Sequence, residues 1–322
     1  MRLLVTGANG FVGPYFLDAV RKILPNAELI ACGNGSGRGS VQASVDIRDE
    51  AAVNYLIKGL RPTHVVHLAG ISRVADAQAN SRAAWDINVL GTLNLARAIL
   101  RHVPSCVLLS IASGEVYGLS ANETAILKED ARLQPISEYA VTKAAADLAI
   151  GSLAASGLRA IRLRPFNHIG PGQTEQYAIS SFAAQIARIE LGKQTPVLHV
   201  GNLDVERDFL DVRDVANAYA CAIVHSDEIR NGEILNVASG RAVRLADLLD
   251  QLISMSSATV RVQQDPARVR RVEVPRICGD ASKAKLLLGW VPKYELKDTL
   301  CDILMEWRCQ LGVEGRRALG DA

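Results

Sequence analysis

Ser113, in the run SGEVYG, and Tyr139 and Lys143, in EYAVTK, are the side chains of this sequence whose types and order suit proton transfer beside a carbonyl. Residues four apart on a helix share a face, and an ammonium held beside a phenol favours the phenolate, so the spacing predicts a Tyr139 pulled from about 10 towards neutrality. Such a tyrosine can exchange the proton that accompanies hydride transfer at a carbon bearing oxygen, while Ser113 hydrogen-bonds that oxygen. Glu115, two residues beyond the serine, is a possible accessory group. Taken alone, Tyr-x-x-x-Lys fits equally well a packed tyrosine beside a solvated lysine.

The opening MRLLVTGANGFVG supplies what that pair lacks, a place for a hydride carrier. Gly7, Gly10 and Gly13, with Phe11 and Val12 between the last two, fall where a first strand gives way to a first helix. Glycines there permit a tight turn, close backbone approach to a pyrophosphate and close helix packing, and the helix N-terminus offers free N–H groups to the anion. An NAD site usually carries an acidic residue at the end of the second strand. AELIAC ends instead in GNGSGRG, with Glu28 at the wrong end of the strand. Arg38 in that loop could meet a 2′-phosphate, which favours NADPH and leaves NADH possible. Asp46, with its neighbour Ile47 after a third short strand, is a candidate acceptor for the adenine amino group.

The elements that must position these residues read clearly. Short apolar runs (RLLVTG, AELIAC, THVVHLAG, CVLLSIAS, LRAIRLRP) alternate with helical patterns, which predicts a parallel sheet covered on both faces. The expected fold class is α/β, a doubly wound parallel (Rossmann) sheet with ligands at the carboxyl ends of its strands, and a smaller C-terminal α/β substrate lobe. The boundaries expected are 1–163 for the dinucleotide domain, with 210–238 returning to it, and 164–322 mainly for the substrate lobe. Helices are expected at about 81 to 101 and 138 to 156.

Composition narrows the classes. A chain of 322 residues with 49% hydrophobic and 22% charged residues is long enough for one elaborated domain or two, and is not disordered or fibrous. A net charge of +2 gives no reason to expect nucleic acid as a partner. The six cysteines are dispersed without a C-x-x-C pair, which argues against a zinc site or disulfide framework and for reduced thiols; no metal is expected. No stretch approaches the roughly 18 apolar residues of a membrane helix, so no membrane partner is expected and a cytoplasmic location is.

GANGFVG, HLAG at 67–70, the serine before EVYG, and YAVTK together resemble the extended short-chain dehydrogenase/reductase family, most of whose members act on nucleotide sugars. The resemblance covers nearly the whole chain. It implies that Ser113, Tyr139 and Lys143 are the catalytic set, with Lys143 also binding the nicotinamide ribose. It also implies that Leu68, Ala69, Gly70, Asn88 and Pro165 lie along the cofactor. RPFNHIGPGQ, VGNLDVERDFLDVRDV and QDPARVRRVEVP resemble the branch that reduces a 4-keto group on a GDP-linked 6-deoxy sugar. A nucleoside diphosphate needs donors for its phosphates and polar partners for ribose and base. By that resemblance Asn167 and Arg207 serve the diphosphate, and Arg270 with Glu273 the guanosine, with Val200 and Asn202 nearby. Arg268 and Arg271 fit solvated neighbours. Glu115 keeps a second branch open, since the GDP-mannose 4,6-dehydratases of the family carry a glutamate in their catalytic triplet. An epimeric product, the talose form, is a third alternative. A homodimer through a four-helix bundle is the assembly implied.

Overall fold

The computed structural model describes residues 1–33, 42–269 and 272–312. Strands β1 (Arg2–Thr6), β2 (Glu28–Gly33), β3 (Ala43–Ser44), β4 (His64–His67), β5 (Val107–Ile111) and β6 (Ala160–Pro165) join β10 (Ile234–Val237) in one sheet. Its order is β10-β6-β5-β4-β1-β2-β3, and every neighbouring pair is parallel. Parallel neighbours require crossovers, and helices supply them on both faces. Alternation along each strand sorts the core into two layers. Leu3, Val5, Val66, Leu109 and Leu163 face α1 (Val12–Ile23), α8 (Val212–Val224) and α10 (Ser282–Leu288), through Phe16, Tyr219 and Leu288. Leu4, Val65 and Leu108 face α2 (Glu50–Leu60), α5 (Thr92–His102) and α6 (Glu138–Ala155), through Ile57, Ile99 and Ile150.

A second lobe stands over the carboxyl ends of that sheet. β7 (Asn167–Ile169), β9 (Glu206–Asp211), β11 (Ala242–Arg244) and β13 (Arg276–Ile277) form one small sheet around β9, and β8 (Val197–Val200) pairs with β12 (Arg261–Gln264). Helices α7 (Ala178–Glu190), α9 (Leu245–Ser254) and α11 (Leu296–Leu311) bury Phe182, Leu248 and Leu304 against these strands.

The helix expected over about 81 to 101 is interrupted. After α3 (Val74–Ala79) and α4 (Ser81–Trp85), residues Asp86–Gly91 form a π turn before α5 begins. The cause is local chemistry. The Thr92 hydroxyl donates to the Asn88 carbonyl at 2.7 Å, and the Asn88 side chain is drawn sideways to the Ile71 backbone, accepting from its N–H at 2.8 Å and donating to its carbonyl at 3.1 Å. Widened turns of this kind re-aim one side chain without ending the helix.

Candidate active site

The glycine loop is pressed against the end of β4. Gly7 has φ +70°, and a Cβ there would come 2.5 Å from the Ala69 nitrogen and 2.7 Å from the Leu68 carbonyl carbon; one on Gly13 would meet the Ala8 oxygen at 2.1 Å. Gly10 donates its N–H to the Gly7 carbonyl at 3.0 Å, closing the turn. The missing Cβ atoms let the loop lie against the end of β4 and α1 start close against the end of β1, the strand-turn-helix arrangement that a pyrophosphate site requires. Phe11 lies parallel to His168 of β7, centroids 6.1 Å apart, and edge-on to Tyr15, whose hydroxyl donates to the Pro171 carbonyl at 2.7 Å. Val12 packs on the core layer beneath.

At the far side of the loop, Glu28 is paired with Arg2 at 2.8 Å, at the end of β2 remote from the glycines. Arg38 lies outside the described residues. Asp46 is held by Arg48, which donates from its backbone N–H at 3.0 Å and from its guanidinium at 2.5 Å; this pairing keeps the carboxyl below the usual range. Ile47 is buried where a Cβ on Gly91 would meet it, and its carbonyl accepts from Asn94.

A buried chain of polar groups runs beneath the cleft. The Thr6 hydroxyl and His67 Nδ1 are 2.7 Å apart, and His67 Nε2 and the Thr92 hydroxyl 2.9 Å. Asn88 donates to the Thr142 hydroxyl at 3.0 Å, and Thr142 donates to the Tyr139 carbonyl at 2.8 Å. Burial first, and the charge of Lys143 second, push His67 down to about 3, so its imidazole is neutral. The chain links the ends of β1 and β4 to the helix that bears Tyr139. Gly70, at the tip of β4, sits with its Cα facing the Asn88 amide oxygen.

Ser113 follows β5 and caps the 3-10 helix Gly114–Asn122, accepting from the Glu115 N–H at 3.2 Å. Ser137 caps α6 in the same way, accepting from Ala140 at 3.2 Å, which starts that helix just before Tyr139. The Ser113 hydroxyl and the Tyr139 phenol act on one another within the site, the serine lowering the pKa of the phenol. Its acidity departs from the expectation of a phenol drawn towards neutrality: burial raises its pKa, the Ser113 hydroxyl opposes this with a smaller effect, and the negative charge of Glu115 and the neighbouring Tyr177 add to the rise. Spacing alone does not report burial, which here outweighs the other influences. Lys143 donates from Nζ to the Ile111 carbonyl at 2.5 Å, and burial pushes it down to about 8. A serine hydroxyl near a protonated phenol, with a lysine one helical turn away, can bind a carbonyl oxygen and hand it a proton. Pro165, buried at the end of β6, leads into the second lobe.

In that lobe the structure gathers three of the predicted residues. Asn202 donates to Glu273 at 3.0 Å, and the Arg207 guanidinium lies 3.7 Å from the other carboxylate oxygen, with both side chains largely buried. Arg207 and Glu273 thus face each other directly. Asn167 is half-buried on β7 and Val200 buried on β8. Arg270 and Arg271 lie outside the described residues, and Arg268 donates to the Ser181 hydroxyl at 3.2 Å. Among the described residues no cluster of His, Cys, Asp or Glu is arranged to hold a metal ion, and no helix is long and apolar enough to cross a membrane. Sequence reasoning missed Asp147 on α6, which is buried and paired with Arg164 at 2.7 Å; its position four residues after Lys143 was the available signal.

Comparison with known proteins places the chain as a whole among nucleotide-sugar enzymes. The family model described as GDP-mannose 4,6 dehydratase matches residues 4–303. A GDP-6-deoxy-D-mannose reductase from Pseudomonas aeruginosa is 36% identical over 314 residues, 97% of this chain and 99% of its own length. A GDP-6-deoxy-D-talose 4-dehydrogenase from Aggregatibacter actinomycetemcomitans is 25% identical over 90% of this chain and 92% of its own. Among solved structures, RMD from Pseudomonas aeruginosa complexed with NADPH superposes with a TM-score of 0.83 at 34% identity, covering 96% of this chain and 99% of that one. The family match begins inside β1, takes in the glycine loop and the Ser-Tyr-Lys set, and ends in α11, so the chain as a whole belongs to the GDP-mannose 4,6 dehydratase family of extended short-chain dehydrogenases/reductases.

Proposed function

We propose that this protein reduces the 4-keto group of GDP-4-keto-6-deoxy-D-mannose with NADPH, giving GDP-D-rhamnose. The observation that carries the reading is the 36% identity to a GDP-6-deoxy-D-mannose reductase across 97% of the chain, joined to Ser113 just beyond the end of β5 and Tyr139 and Lys143 in the first turns of α6. The similar structure that holds NADPH supports the phosphorylated nicotinamide. Gly7, Gly10, Phe11, Val12 and Gly13 would cradle its pyrophosphate, with Asp46, Ile47, Leu68, Ala69, Gly70, Asn88 and Pro165 along its length.

When bound, the nicotinamide supplies the hydride. Ser113 donates to the carbonyl oxygen as charge develops there, and Tyr139 gives it a proton. A phenol raised by burial is fully protonated at neutral pH, which suits a reduction, and the Lys143 ammonium lowers the cost of the phenolate left behind. Asn167, Val200, Asn202, Arg207, Arg270 and Glu273 would hold the GDP moiety, with Arg207 on the phosphates. Two copies would associate as a four-helix bundle through the helical stretch 81–102 and α6, where Leu90 in the π turn and Leu148 on α6 are exposed.

The test is to supply GDP-4-keto-6-deoxy-D-mannose and NADPH to wild type and Tyr139→Phe and identify the sugar formed. GDP-D-rhamnose is expected, with turnover falling about 10²–10⁴-fold in the variant and GDP-sugar binding kept. Consumption of GDP-mannose without added reductant would instead assign Glu115 a dehydratase role, and the talose epimer would leave the chemistry in place but reverse the face of attack.

A further inference from the structure

We infer that Asp147 is a positioning residue for the proton step, its buried carboxylate supplying the negative charge that holds the Lys143 ammonium charged inside the protein. The inference rests on the reading of Tyr139 and Lys143 given above. Asp147 follows Lys143 by four residues on α6 and so lies on the same face, one turn deeper. It is 1% exposed. One oxygen, Oδ2, accepts from Arg164 Nη2 at 2.7 Å and Nε at 3.2 Å, and Arg162 stands 3.7 Å away. The other, Oδ1, is buried with no hydrogen-bond partner among the described residues. A carboxylate that served only to anchor Arg164 would meet its guanidinium with both oxygens, the fork-to-fork geometry that such pairs favour. Here the pairing is one-sided, and Oδ1 is left in the interior without a hydrogen bond of its own.

The surroundings of Lys143 give that charge its importance. Its Nζ has the Ile111 carbonyl for a partner, with neutral His67 on β4 and the phenol of Tyr139 on its own helix. Behind Asp147 stand Arg162 and Arg164 of β6 and the Tyr117 hydroxyl, which accepts from Arg164 at 2.9 Å; Glu115 acts on Tyr139 from the 3-10 helix, and Tyr219 of α8 lies near the same phenol. Burial drives Lys143 down to about 8, and Asp147 is the charge that opposes it. Without that opposition the ammonium would lose its proton within the working pH range, and the phenolate formed in the proton step would have no cation beside it.

The experiment follows the lysine directly. The protein without nucleotide, carrying ¹³C-labelled lysine, is titrated by NMR, and the pH profile of kcat/KM is measured in parallel for wild type, Asp147→Asn and Asp147→Glu. The Lys143 midpoint and the basic limb of the profile are expected to move down by about one pH unit in Asp147→Asn. Asp147→Glu is expected to restore both, with KM for the GDP-sugar unchanged throughout. Should Asp147→Asn not fold because two arginines lose their partner, Asp147→Asn combined with Arg164→Gln keeps the charge balanced, and a movement in the same direction but smaller is expected, since the lost arginine charge partly offsets the lost carboxylate. An unmoved Lys143 midpoint in a folded variant overturns the inference and leaves Asp147 as an anchor for Arg164. Lys143→Met separates the two layers: if it retains turnover, the reading of the active site fails, whereas an inactive Lys143→Met with an unmoved midpoint in Asp147→Asn sinks only the role given to Asp147.

Discussion

His67 shows how much a single side chain of this site depends on its surroundings. Both ring nitrogens are occupied by threonine hydroxyls, and the ring is almost wholly buried, which holds it about 3 against an ordinary 6.5. The folded protein therefore binds fewer protons here than the unfolded chain between those values, and stability that is present above about pH 6.5 is lost as pH falls towards 3. The thermal midpoint is expected to drop over that window, by an amount equivalent to roughly 2–4 kcal/mol at the acid end. In His67→Gln, which keeps the polar links without the titration, calorimetry should find a flatter acid limb; an unchanged slope would assign acid lability elsewhere. The strand end HLAG was visible in the sequence, but the partners of His67, Thr6 and Thr92, come from different elements, and no spacing rule joins them.

At the scale of elements, the strand-turn-helix at the N-terminus was fully legible because its signals are local: an apolar strand, three glycines and an amphipathic helix. Its tightness against β4 was not. Gly7→Ala places a Cβ at positive φ within 2.5 Å of backbone. The loop is expected to shift and weaken NADPH binding by at least about tenfold, measured by fluorescence titration, with circular dichroism unchanged. Equal affinity would mean that the loop does not carry the pyrophosphate. The π turn Asp86–Gly91 was hidden for the opposite reason, since an unbroken helical pattern runs through it and only the sideways grip of Asn88 on Ile71 interrupts it. Likewise Asn202, Arg207 and Glu273 come from separate segments of the second lobe, and their pairing became visible only once β9 and β13 were side by side.

For the whole molecule, the alternation of strands and helices predicted the doubly wound sheet, because each parallel neighbour must be reached by a crossover and the runs were long enough to count. Surfaces were harder to read, since helices covered by a partner and helices facing solvent share the same amphipathic pattern. Leu148, 59% exposed on α6, and Leu90, 48% exposed in the π turn, lie on elements that pack together. If two copies meet there, Leu148→Glu should convert a dimer to a monomer in analytical ultracentrifugation while leaving the monomer folded. A wild type that sediments as a monomer would remove that assembly from the proposal.

The rings of Phe11 and His168, and the Tyr15 hydroxyl on the Pro171 carbonyl, stitch the first helix to the far lobe. Anyone grafting a different sugar lobe onto this scaffold would find that residues 11 and 15 travel with the graft rather than with the strand-and-glycine unit they sit in. A chimera cut at Pro165 that keeps the old pair inherits a mismatched seam, and exchanging those two positions together with 166–173 is the smallest swap that carries a matched hinge.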